Sequence, residues 1–225
     1  MKPRHYVAAA VLLCMLNAAR AIELPVGGGR YSVAAASLKE MRFRTTLRQQ
    51  YDFSCGSAAL ATLLTYHYGH PVTEQRVFEA MYLGGDQAKI RKEGFSLLDM
   101  QRYLGASGYQ ADGFKLPLQK LIDANLPAIV LIADKGYHHF VVVKGVAGGR
   151  ILVGDPSSGA RAMSGAAFDA IWVSKLLFVI HGFKGSAAFN QAPEWRAAPP
   201  APLTQAIQRD GFGAITIPKL GPADF

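Results

Sequence analysis

The hydrophobic positions of the chain change rhythm twice. An unbroken apolar stretch runs from Tyr6 to Leu16, and beyond about residue 55 a helical spacing sets in. Leu60, Leu63 and Leu64, with His67 next in the series, are preceded by small and capping residues and followed by Gly69 and Pro71, which predicts a helix from Gly56 or Ser57 to Tyr68. A second helix is expected from Thr73 to about Tyr82, closed by Gly84-Gly85. A third runs from Ser96 to about Gly105 on Leu97, Leu98, Met100 and Leu104. The pattern then shortens: Gly108 to Phe114 reads as a strand and Leu118 to Ala124 as a short helix. Ala128 to Ile132 is a continuous apolar run of the kind found in buried strands. His139–Gly145 and Arg150–Asp155 flank Ala147-Gly148-Gly149, a hairpin signature, and Lys175 to His181 adds one more strand. Helices first and antiparallel strands second predict an α+β fold.

The two ends differ from this middle. Lys2 and Arg4, the apolar stretch and the ending Ala19-Arg20-Ala21 have the three parts of a secretory signal, so residues 1–21 are expected to be removed after Ala21. A retained membrane anchor fits less well, because the run falls short of the ~20 apolar residues a spanning helix needs. Acylation of Cys14 would require a small residue where Leu13 stands. Residues 22–42, with Gly27-Gly28-Gly29, read as a lead-in, and residues 43–184 as the folded unit. In residues 185–225, Pro193, Pro199, Pro200 and Pro202 break regular structure, leaving room for one short helix from Leu203 to Arg209 in a tail suited to binding a partner.

Charge excludes one class of function. The formal charge of +8 includes Lys2, Arg4 and Arg20, so the mature chain carries +5, spread without a basic block, and nucleic-acid binding gains no support. Cysteine usage is more informative. After signal removal Cys55 stands alone, in a compartment where cysteines are usually paired, and is either a buried inert thiol or a reacting one.

A reacting thiol needs stabilisation of its anion, and Cys55 lies where the first predicted helix begins, near unpaired N–H groups and the positive end of the helix dipole. A base must come from elsewhere in the chain. His67 and His70 fall about 18 Å away at the far end of that helix. His138 and His139 open a strand on opposite faces, so one of the two can serve. An acid to orient the imidazole is available at Asp155, which ends the neighbouring strand before Pro156, although Asp-Pro is also ordinary turn punctuation. Gln49 and Gln50 both qualify by type as oxyanion donors alongside the Cys55 N–H.

The stretches Gln49-Gln50-Tyr51-Asp52-Phe53-Ser54-Cys55-Gly56, His139 to Gly145 and Gly154-Asp155-Pro156-Ser157-Ser158-Gly159 together resemble the bacteriocin-processing, double-glycine family of papain-like cysteine peptidases. The resemblance runs from about Arg44 to Gly182 and implies a papain-like peptidase domain over residues 43–184. It selects Gln49 over Gln50, His139 over His138, and Asp155 as the third member of a Cys55–His139–Asp155 triad. It also implies cleavage after small residues in a polypeptide, with no metal or organic cofactor. Ser54 departs from the acidic residue common before the family's cysteine, and the signal peptide sets the chain apart from members fused to transporters. The free-standing, exported form is similar to the peptidase component of Fap-type functional-amyloid secretion systems. That likeness implies a periplasmic location and amyloid subunits or secretion-system components as substrates or partners. The competing expectation is a docking or escort module on the same fold that does not cut. A redox protein is disfavoured, since no second mature cysteine could resolve an oxidised thiol. An active triad is expected to bring the Cys55 sulfur within about 4 Å of a His139 ring nitrogen.

Overall fold

The computed structural model describes residues 21–26, 29–34, 37–134 and 136–199. Residues 1–20 of the expected signal segment and the stretch Leu203 to Arg209 lie outside the described residues. Near the start, β1 (Ala21–Val26) and β2 (Gly29–Ala34) pair as an antiparallel hairpin. The first helix among the described residues, α1 (Leu38–Phe43), begins at a capping box in which Ser37 and Glu40 bond each other's backbone N–H groups.

The helical half follows the expected periodicity. α2 (Cys55–His67) is apolar nearly all round and buried along almost its whole length, the pattern of a central helix. It packs against α3 (Glu74–Gly84), capped by Thr73, and α5 (Leu97–Ala106), capped by a Ser96–Asp99 box. Between them α4 (Gln87–Glu93), which the hydrophobic pattern does not reveal, starts at an Asp86 cap and buries only Ile90. Thr73 and Ser96 are caps rather than first helical residues, so both helices start one position later than the spacing suggests.

The second half is one antiparallel sheet in the order β3-β8-β4-β5-β6-β7. Its strands are β3 (Gln110–Phe114), β4 (Ala128–Asp134), β5 (Tyr137–Ala147), β6 (Arg150–Asp155), β7 (Gly159–Ser164) and β8 (Leu177–His181). Two short helices, α6 (Gln119–Ala124) and α7 (Gly165–Ile171), lie in the connections. The apolar run of β4 is buried on both faces. Ile129 joins the core around α2 with Phe140, Val142 and Phe178, whereas Ala128, Val130 and Ile132 join Val141, Val143, Phe168 and Trp172 on the other side. The α+β expectation therefore holds.

Three features go beyond the sequence pattern. β7 was not foreseen, because Gly-Ala-Arg-Ala-Met-Ser has little strand propensity and is drawn into the sheet by full pairing with β6. β5 runs past Gly145 to Ala147 through a register shift against β6 between Val143 and Gly145, a bulge that leaves Lys144 out of register. The stretch after residue 185 is also not without structure up to residue 199. Ala187 and Phe189 are buried, and α8 (Ala192–Trp195) accommodates Pro193 in its first turn, where no backbone N–H is needed.

Candidate active site

Cys55 is the first residue of α2. Its cap, Ser54, makes no side-chain bond to the helix and instead closes the preceding loop, with Oγ accepting from the Tyr51 N–H at 3.1 Å. The first N–H groups of α2 are therefore left to serve the sulfur. Cys55 is 9% exposed. Burial pushes its thiol up from the ordinary value, while the backbone N–H groups of Phe140 and Gly56 pull it down and the Asp155 charge adds to the rise. This reverses the expectation from the helix N-terminus alone: desolvation outweighs the dipole, and the resting group is a neutral thiol.

His139 and Asp155 meet as the hairpin geometry requires. β5 and β6 pair as far as Val142 opposite Gly154, so the two side chains lie just beyond the last pair, on neighbouring strand ends. His139 Nε2 donates to Asp155 Oδ2 at 3.2 Å. Asp155 is 2% exposed, and its other oxygen, Oδ1, accepts from the Ser157 N–H at 2.8 Å, the Ser157 hydroxyl at 2.6 Å and the Ser158 N–H at 3.3 Å. Burial favours the protonated acid, but the bonds from His139 and Ser157 outweigh it and hold the carboxyl well below the usual carboxylate range. Arg161 Nη2, on β7, bridges Asp134 Oδ2 at 2.8 Å and Asp155 Oδ2 at 3.3 Å.

With Nε2 committed to Asp155, Nδ1 is the His139 nitrogen left to exchange a proton. Among the described residues no hydrogen bond joins the Cys55 sulfur to that ring, and Cys55 lies in one buried cluster with Phe140, the residue after His139 on β5. Such bonds commonly tighten only around a substrate. His138 is exposed on the strand's outer end and has no part in the cluster.

Gln49 stands beside the same turn, with its N–H donating to Pro156 O at 3.1 Å. Its side-chain Nε2 donates to Tyr51 O at 3.1 Å and Asp52 O at 3.4 Å, which lays the amide over the loop leading into Cys55. Gln50 is exposed. The four residues singled out from the sequence thus fall on one end of the sheet and its adjoining helix. Two contributors were missed. Ser157 could have been read from Asp-Pro-Ser, since an Asp bonding the N–H two residues on is an Asx turn. Arg161 carries no local signal, because its partners come from β4 and β6. Among the described residues no group of three His, Cys, Asp or Glu side chains is placed to hold a metal ion.

The model of the Peptidase C39 family fits residues 44–184. The chain is 38% identical over 189 residues to the probable functional amyloid protease FapD of Pseudomonas aeruginosa, covering 84% of this chain and 81% of that protein. It is 36% identical over 195 residues to the FapD of Pseudomonas fluorescens, covering 87% and 84%. The peptidase domain of Streptococcus ComA superposes with a TM-score of 0.52 at 22% identity, over 60% of this chain and 96% of that one, which supports the papain-like fold. The resemblance drawn from the three sequence stretches holds, and the chain belongs to the Peptidase C39 family and is a cysteine peptidase.

Proposed function

We propose that Cys55, His139 and Asp155 are the catalytic triad of an exported peptidase that cuts a secreted polypeptide after small residues, in support of functional-amyloid secretion. The observation that carries this is the His139–Asp155 pair at 3.2 Å, on the strand whose next residue, Phe140, lies in one buried cluster with Cys55. Asp155 stays ionised and fixes the tautomer in which Nε2 carries the hydrogen and Nδ1 is free to accept one. Because burial keeps the thiol neutral, His139 Nδ1 takes the proton as the sulfur attacks the scissile carbonyl, instead of starting from a preformed ion pair. The oxyanion that develops is met by the Cys55 N–H and by the Gln49 amide, whose Nε2 gives up its long 3.4 Å bond to Asp52 O to reach it. The imidazolium, steadied by Asp155, then protonates the departing amine. Water hydrolyses the thioester that remains, with His139 acting again as base.

A periplasmic setting rests on the expected signal segment and on likeness to proteins named as functional amyloid proteases. Amyloid subunits or secretion-system components are the substrates or partners this reading favours. No helix among the described residues is long and apolar enough to cross a membrane. The test is intact-mass analysis of a co-expressed exported amyloid subunit with the native chain and with Cys55→Ala. Cleavage is expected with the native chain alone; an unaltered subunit that both proteins still bind would favour the docking module.

A further inference from the structure

The loop that carries Gln49 is fastened at alternate residues. The Gln49 N–H is tied to Pro156 O, in the turn that holds Asp155. The Leu47 N–H donates to Thr62 Oγ1 on α2 at 2.9 Å. Thr45 is held through both of its oxygens, with Lys144 Nζ donating to the carbonyl at 2.6 Å and to the hydroxyl at 2.7 Å. Two of these anchors belong to the elements that carry the triad, and the third is a lysine with no exposed surface.

A wholly buried ammonium persists only when it is paired and its hydrogens are all used. The third partner of Lys144 is Glu194 Oε1 at 2.6 Å, on α8. Glu194 is itself 7% exposed and lies beyond residue 184, where the family match ends. The segment bearing it is laid along the domain by backbone bonds. The Ala188 N–H donates to His67 O at 2.7 Å and the Asn190 N–H to Lys144 O at 2.8 Å. Trp195 Nε1 donates to Asn190 Oδ1 at 2.9 Å. Gly145 makes room for this approach, since a Cβ there would stand 2.7 Å from Asn190 Oδ1 and 3.0 Å from Asn190 Cα. A chain of contacts therefore runs from the C-terminal segment through Glu194, Lys144 and Thr45 to the Gln49 loop.

We propose that Lys144 and Glu194 are positioning residues for peptide-bond cleavage: the segment 187–195 holds the ammonium that fixes Thr45, and so sets the Gln49 amide where the oxyanion develops. The proposal rests on the reading of Gln49 as an oxyanion donor. The brace grips the Gln49 loop and leaves the His139–Asp155 bond alone. Its loss therefore slows turnover without altering how Cys55 ionises.

The test uses the full chain and a peptide ending in Gly-Gly linked to aminomethylcoumarin. The double variant Lys144→Met/Glu194→Met keeps the volume and leaves no unpaired charge, a replacement that folds tolerate well. It is expected to melt cooperatively and to alkylate Cys55 with iodoacetamide along the native pH profile. Its kcat should fall about ten- to a hundredfold, with KM within about twofold. Gln49→Ala serves as reference. Native kcat in the folded double variant, with Gln49→Ala slowed, overturns the brace alone; native kcat in Gln49→Ala overturns the Gln49 reading and the brace with it. If the double variant does not fold, Glu194→Gln, which retains a neutral acceptor for Lys144, is read by the same two criteria.

Discussion

Cys55 sits under two opposing influences, and the balance between them decides how the thiol is activated. The unpaired start of α2 and the Phe140 N–H favour the anion, but a side chain that is 9% exposed loses more from desolvation than these donors return. The iodoacetamide reaction of the native chain is therefore expected to be slow at neutral pH and to climb through the alkaline range; a plateau already reached near pH 6 would mean a preformed thiolate–imidazolium pair. Cys55, His139 and Asp155 stand out in the sequence because each is a reactive residue type in a recognisable stretch. What the sequence could not convey was the size of the desolvation around the sulfur, since that depends on how closely β5 approaches the head of α2. Lys144 was illegible for a related reason. Within Val-Val-Val-Lys-Gly it reads as a polar position on a strand, and only the bulge and the returning C-terminal segment turn it inward.

At the level of elements, the parts read correctly were those whose pattern is intrinsic, such as the apolar β4 run, the β5–β6 hairpin and the capped helices α3 and α5. The parts missed are held by partners distant in sequence. β7 exists because β6 pairs with it along its full length, Asp155 to Gly159 inclusive, and because α1 packs on it. The turn between those strands, Asp155-Pro156-Ser157-Ser158-Gly159, both bonds the Asp155 carboxylate and delivers β7. Gly159 has a φ of +82, and a Cβ there would lie 2.7 Å from Arg42 Cβ and 2.9 Å from the Arg42 backbone. Gly159→Ala therefore combines left-handed strain with a collision against α1. It is expected to cost about 2 kcal/mol or more, read as a lower urea midpoint with little change in slope. A native midpoint would show that α1 and the turn can shift apart freely, contrary to the packing described.

Across the molecule, the helical half and the returning C-terminal segment are joined at a buried histidine, and this makes stability depend on pH in a defined window. His67 ends α2, is 2% exposed, and donates from Nδ1 to Ala188 O at 2.5 Å. Its other nitrogen has no hydrogen-bond partner among the described residues. Burial lowers its pKa from 6.5 to about 4; the Glu194 charge opposes that shift and the Lys144 charge adds to it. The unfolded chain thus takes up a proton near 6.5 that the folded chain refuses until about 4. The contribution of neutral His67 is complete above the higher value, is lost progressively as pH falls between the two, and changes no further below the lower one. From these values, acidification from pH 7.5 to pH 5 is expected to remove about 2 kcal/mol. Other groups titrate over part of that range, so the decisive quantity is a difference. His67→Gln keeps a donor for Ala188 O but cannot take up a proton, and its urea-unfolding free energy should fall by about 2 kcal/mol less than that of the native chain over the same interval. Equal losses in the two proteins would mean that water reaches His67 and that the C-terminal segment does not seal this end of the helix.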